Sequence, residues 1–239
     1  MHFSPHPDDE VLGAPGGLFE LRDAGWRIVN VASSLGRQEQ RERRLSELEE
    51  ACARARFELR VEEVEPAQVL RDLQPELVVA PCPHDPHPFH GEVARAVLAA
   101  VASAGAPHTV WLWSIWSGPA LPSLAIELTD DRLAEIEHAL AAHDGELGRT
   151  DFRRLLRARA DVSGVVGAER IFGFGSPSLP FAQAELLAEL ALVEGRWRLC
   201  EPRALRAGAV TVDGSPGPRD VTEWLFEPTV AMRFGTRHV

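Results

Sequence analysis

Lysine and tyrosine are missing from the 239 residues, so all 25 basic residues are arginine. Without lysine there is no P-loop lysine, no Schiff base and no Ser–Lys dyad. Without tyrosine there is no phenol for acid–base chemistry. Cysteine is scarce: Cys52, Cys82 and Cys200 stand too far apart for a zinc ribbon or a disulfide framework. An odd, sparse count fits a reducing compartment. No apolar run reaches the roughly 18 residues of a membrane span, and no basic, then apolar leader opens the chain. The expectation is a cytoplasmic protein. Positive charge is also in deficit, with 25 basic residues against 36 acidic ones and a net charge of −11. That argues against nucleic-acid binding, which needs a basic face, and against docking on anionic lipid.

What is present suffices for a folded domain. Apolar residues make up 45 % of the chain, enough for a core, and the length suits one α/β domain with a small appendage. Periodicity predicts strands at Ile28–Ala32, Leu59–Val64, Leu77–Ala80 and Thr109–Trp116. Helical spacing occupies the segments between them: Leu18 to Gly25, Gln38 to Phe57, Ala67 to Leu73 and Glu92 to Ala104. Strands alternating with helices predict a Rossmann-like, mostly parallel sheet with helices on both faces. Beyond it the pattern predicts helices at Arg132–His143, Thr150–Ala160 and Phe181–Leu192. Short strands are expected at Gly195–Pro202, Ala209–Val212 and Glu223–Phe226, in a loop-rich tail. The expected division is a core over 1–175, with 176–239 adding a helix and short strands packed on it.

Two clusters carry the chemistry. His6-Pro7-Asp8-Asp9-Glu10 falls where the first strand ends and the first helix begins. His84, Asp85, His87 and His90 follow the strand Leu77–Ala80. Ligands of open α/β sheets bind beyond the carboxyl ends of the strands. Parallel strands would therefore bring both clusters to one sheet edge, where a divalent cation would neutralise the packed carboxylates. Two His and one Asp supply three zinc ligands and leave a fourth corner for water. Taken singly, Asp8–Glu10 also suits a helix N-terminus, and a His-rich loop also suits a surface.

Together the motifs resemble the LmbE-like, or PIG-L, family of N-acetylglucosaminyl deacetylases. The carriers are His6-Pro7-Asp8-Asp9-Glu10 with Gly13, Gly16 and Gly17, His87-Pro88-Phe89-His90, Arg44-Leu45-Ser46-Glu47, and Ala139 to His143. The resemblance spans roughly residues 1 to 175. It implies a zinc-dependent hydrolase that removes an N-acetyl or other N-acyl group from an amino sugar in a small glycoconjugate or natural product. Carried residue by residue, it implies His6, Asp9 and His90 as metal ligands, Asp8 as general base, and His87 as general acid or charge stabiliser. Arg44 and Asp85 are the expected substrate contacts; for Arg44 a solvated helix face is the other reading. Gly13, Gly16 and Gly17 either open the first helix or let it pack on the sheet. Phe89 stands where the family has Asp inside the second motif, so His87 lacks that partner, and Asp85 or a helix carboxylate could replace it. Asp85 occupies the position of a Tyr found in some members.

Two other readings share these residues: a metal-dependent phosphoesterase or esterase, and a zinc-binding protein with impaired catalysis. The expected partner is a small N-acetylated amino sugar; association into a homo-oligomer is left open.

Overall fold

The computed structural model describes residues 1–61, 65–104 and 109–227. The strands are β1 (His2–Ser4), β2 (Val29–Ala32), β3 (Glu58–Val61), β4 (Leu77–Pro81), β5 (Thr109–Trp113), β6 (Leu124–Glu127), β7 (Ala184–Val193), β8 (Arg196–Cys200), β9 (Arg203–Leu205) and β10 (Pro216–Asp220). The helices are α1 (Asp9–Leu12), α2 (Pro15–Asp23), α3 (Arg41–Ala55), α4 (Pro66–Leu73), α5 (Pro88–Ala104), α6 (Asp130–Leu140), α7 (Asp144–Leu147), α8 (Phe152–Phe172) and α9 (Thr222–Phe226).

The main sheet runs β10-β8-β7-β5-β4-β1-β2-β3. From β5 to β3 neighbouring strands are parallel; β7, β8 and β10 continue the sheet antiparallel. The inner parallel strands β4 and β5 carry Val, Leu, Ala and Trp on both faces, as strands covered on both sides must. On one face Trp111 and Trp113 pack with α2, α3, α6 and α8. On the other, Val78, Ala80, Val110 and Leu112 pack with α4 and α5. The chain leaves β1 in one direction, towards β2 and β3, and returns to the other side as β4 and β5. The loops after β1 and β4 therefore flank the point where strand order reverses, which is where such sheets bind ligands.

Most expected elements appear, with shifts at their ends. The strand expected at Leu59–Val64 is β3, and residues 62–64 lie outside the described set. β5 stops at Trp113, so Trp116 is a loop residue, and α5 starts at Pro88, which places His90 in its first turn. Thr129 caps α6 through its hydroxyl, as expected of Thr before an acidic first turn.

The main correction is Phe181–Leu192, expected to be a helix. Its Leu, Ala and Glu favour helix locally, yet Ala184–Val193 is the long strand β7, paired with β6 through its first half and with β5 and β8 through its second. Tertiary pairing overrides propensity here: without this segment β5, β6 and β8 would each lose a ladder partner. Glu223–Phe226, expected extended, lies in α9, Ala209–Val212 forms no strand, and β6 was not anticipated. The tail is pinned by a buried ion pair. Arg203 grips both oxygens of Glu189, at 2.7 and 2.9 Å, and Glu189 also accepts from the Trp111 indole N–H at 2.9 Å. Among the described residues no helix is long and apolar enough to cross a membrane.

Candidate active site

β1 ends at Ser4, and the chain turns sharply before α1 begins at Asp9. Asp8 sits at that turn with φ of 108°, a conformation that side chains other than Gly rarely adopt. Neighbouring groups hold it there. The Asp8 backbone N–H donates to Glu10 Oε2 at 3.0 Å. The other Glu10 oxygen meets His143 Nε2 at 2.6 Å, and both side chains are fully buried. Burial would lower the His143 pKa; the Glu10 carboxylate outweighs it and holds the pKa above the ordinary value. The last acid of the His-Pro-Asp-Asp-Glu run thus braces the turn. Arg44 also supports it, donating to the Pro7 carbonyl at 3.3 Å. Arg44 is buried, not on a solvated face. Its guanidinium lies where a side chain at Gly36 would be: a Cβ there would come within 2.4 Å of it.

The two loops meet as the parallel strands require. His6 Nδ1, Asp9 Oδ2 and His90 Nε2 form a triangle with edges of 3.3, 3.4 and 3.5 Å. Donors about 2.0–2.1 Å from a tetrahedral zinc stand roughly 3.3–3.4 Å apart, so the triangle matches one face of such a site. The rings of His6, His87 and His90 also cluster, each offering a nitrogen within 4.8 Å of the others. Burial would raise the Asp9 pKa, but the His6 side chain and N–H and the His90 ring outweigh it and hold it low. His90 is raised in turn: burial would lower it, and Asp85 and Asp9 prevail.

Asp85 is not where substrate contact requires it. It is buried, with Oδ1 3.2 Å from His90 Nδ1 in ion-pair geometry, and accepts the His87 backbone N–H at 2.9 Å. Its other oxygen accepts from the Ser114 hydroxyl and the Ile115 N–H. Asp85 therefore stands behind His90 and orients it, as carboxylates behind metal-binding histidines do. The expectation that Asp85 touches substrate is corrected, and so is the idea that it pairs with the His87 ring. That ring has no carboxylate partner among the described residues, and its buried Nδ1 has no hydrogen bond. Burial and the neighbouring His6 and His90 rings push the His87 pKa down to about 4.

A cleft of about 610 Å³ opens over the triangle. Asp8 lines it, and no hydrogen bond among the described residues ends on its carboxylate. Burial, then repulsion from Asp9, Glu10 and Glu146, raises the Asp8 pKa well above the usual carboxylate range. Its lining combines Arg37, Arg43, Arg44, Arg149 and Glu146 with Leu12, Ile115, Trp116 and Phe152, and the two sets meet where the Arg149 guanidinium lies 5.8 Å from the centre of the Phe152 ring. Glu146 and Arg149 were not foreseen, because nothing in Asp144-Gly145-Glu146 marks a short helix folding over another helix's arginines. The glycines serve packing: a Cβ at Gly13 would come within 2.7 Å of the Trp113 ring, and one at Gly17 within 2.8 Å of Trp111.

No family model and no curated protein matches the chain. Solved structures do match. The conserved protein TT1542 from Thermus thermophilus superposes with a TM-score of 0.61 at 23 % identity, covering 78 % of this chain and 91 % of that one. GalB, the 4-carboxy-2-hydroxymuconate hydratase from Pseudomonas putida, gives 0.61 at 18 % identity over 79 % and 94 %. The N,N'-diacetylchitobiose deacetylase from Pyrococcus horikoshii gives 0.55 at 20 % identity over 81 % and 83 %. The fold is therefore the α/β fold of the LmbE-like deacetylases, as the sequence motifs implied.

Proposed function

We propose that this chain is a metal-dependent hydrolase of N-acetylated or otherwise N-acylated amino sugars in small glycoconjugates or natural products. One observation carries the reading: the His6–Asp9–His90 triangle, with edges of 3.3 to 3.5 Å, has a second carboxylate, Asp8, beside it in a cleft. The cleft falls within the roughly 300–1,000 Å³ of small-molecule sites. His6, Asp9 and His90 would hold the cation, and two imidazoles with one carboxylate suit zinc first, then iron or manganese. When bound, it polarises the amide carbonyl and acidifies water.

The chain's own residues supply the rest. Asp8 accepts the proton of the attacking water. Its burial among other carboxylates makes the Asp8 carboxylate a stronger base, so once it has taken that proton it holds it and returns it to the leaving amine. His87, neutral and without a carboxylate partner, donates an N–H to the carbonyl oxygen as charge builds there. Arg44 holds the turn and, with Arg37, Arg43 and Arg149, faces the sugar.

The test is acetate and free-amine release from N-acetylglucosaminyl conjugates by the metal-loaded protein. Asp8→Asn is expected to keep its metal and lose about 10²–10⁴-fold in turnover; Asp9→Ala is expected to lose both. Full turnover in Asp8→Asn would overturn the division of labour. A stoichiometrically metallated protein releasing no amine from a broad panel would sink the reading. The arginines of the cleft, in a fold shared with a hydratase, support one competitor: addition of water to an unsaturated carboxylate. Consumption of such a substrate without amine release would select it.

A further inference from the structure

We propose that the cleft continues past Trp116 into an apolar groove that holds the acyl arm of the substrate, so that this chain prefers medium-length acyl chains to acetyl. The inference rests on the N-deacylase reading and refines its substrate class.

A second cavity of about 340 Å³ adjoins the first, and Leu12, Ile115 and Trp116 line both. Beyond them its lining includes Leu128 and, from α8, Leu155, Leu156 and Val162. Charged residues border this groove, but their polar atoms are engaged with the backbone. Arg159 donates to the carbonyls of Leu12 at 2.7 Å and Ser114 at 3.0 Å. Glu185 accepts the N–H groups of Gly16 and Gly17 at 3.0 and 2.8 Å. Arg170 donates to the Pro119 carbonyl. What remains for a ligand is more apolar than polar, with the hydroxyls of Ser117 and Ser163 among the polar remainder. The lip is apolar as well: Trp116 is 48 % exposed and Val162 is 59 % exposed.

An amide held at the His6–Asp9–His90 corner has two arms. The nitrogen arm carries the sugar, with hydroxyls that suit the arginines and Glu146. The carbonyl arm carries the acyl chain, and Leu12, Ile115 and Trp116 are the apolar residues that line both the cleft over this corner and the groove. Reversing the arms would set hydrocarbon against guanidinium groups and leave hydroxyls without partners. The second cavity shares Leu12, Ile115 and Trp116 with the cleft and none of the cleft's arginines, which assigns the hydrocarbon arm to it.

The experiment compares N-acetyl-, N-butanoyl-, N-hexanoyl- and N-octanoylglucosamine as substrates, beside alkyl glycosides of N-acetylglucosamine. Binding of octanoate and of acetate is measured by calorimetry in parallel. In the N-acyl series kcat/KM is expected to rise about fourfold for each added methylene until the groove is full. Ser163→Phe, which fills the groove, should flatten that rise. Val162→Asp, on an exposed lip position that tolerates the charge, should blunt it even if the first variant does not fold. Acetyl turnover with no chain-length dependence, and no preference for octanoate, overturns the groove while the deacylase reading stands. Chain-length-dependent binding without any amide hydrolysis keeps the groove and sinks the deacylase reading. A rise confined to the alkyl glycosides reverses the arms and overturns the proposal.

Discussion

Glu185 and Glu189 on β7 are buried about as deeply as Asp8 and Asp9 in the turn after β1, but their surroundings differ. Glu189 takes the Arg203 fork and an indole N–H, and Glu185 takes two backbone N–H groups. Their acceptor capacity goes into holding the tail and α2 against the sheet. In the turn after β1, Asp9 has one good donor, the His6 backbone N–H at 2.8 Å, and otherwise faces two imidazoles. Asp8 faces the cleft on strained backbone. The β7 acids place their oxygens on donors of the fold, whereas the acids after β1 have few such donors and lie at the cleft. Strain and unmet polar groups concentrate where function needs them.

The sharpest way to break this contrast is Glu189→Ala. It strands the Trp111 indole N–H and leaves the Arg203 guanidinium, 19 % exposed, without its main partner. Removing one member of a buried pair costs about 3–5 kcal/mol, and the partial exposure of Arg203 places this case near 3. For a chain of this size that lowers Tm by roughly 6–12 °C. Metal content per folded molecule should not change. A variant that melts like the wild type but binds metal poorly would show that the two regions are not separate.

Asp85→Asn probes the border between them, because Asp85 is saturated with donors yet acts on the site through His90. Asn keeps the shape and removes the charge that favours the His90 orientation. Carboxylates in this position are worth about 10–100-fold in metal affinity. Competition against a chelator should show a loss in that range, and because the Asn NH2 must face donors that the carboxylate accepted, stability should also fall by about 1–3 kcal/mol. An unchanged affinity would return Asp85 to a purely structural role.

The site was more legible in the sequence than the tail, for a physical reason. His6, Asp8, Asp9, His87 and His90 lie in short loops or in the first turn of the helix that follows, positions that depend on two parallel strands, and hydrophobic runs report those strands directly. The tail depends on pairing that no local pattern encodes. Phe181–Leu192 has helical composition and spacing, and only the open edges of β5, β6 and β8 make Ala184–Val193 a strand. Asp85 was misplaced because its spacing from His87 cannot tell a residue facing the cleft from one behind it; the Ser114 and Ile115 partners that draw it inward lie some 30 positions away. Glu10 and His143 were visible only as parts of motifs, and their pairing spans 133 positions.

The smallest expected effect tests the contrast from the functional side. Asp8→Gly removes a buried carboxyl and places at φ 108° the one residue that is at ease there. Relief of strain is worth about 1–3 kcal/mol, offset by roughly 0.4–1 kcal/mol for the freer unfolded chain. The metal-stripped variant should therefore be more stable by about 1 kcal/mol while turnover is lost. The gain should also depend on pH. The native Asp8 carboxyl has a pKa well above that of the unfolded chain, for burial and then for its acidic neighbours. Between the unfolded value near 4 and that higher native value, the native state binds more protons than the unfolded one. Wild-type stability from this group is thus full below pH 4 and is lost as pH rises through the native pKa. Asp8→Gly has no such group, so its advantage should be small in acid and grow towards neutral pH. Melting curves of the metal-stripped pair from pH 4 to pH 8 measure it; an advantage that shrinks as pH rises would mean that Asp8 is held as a stabilised carboxylate.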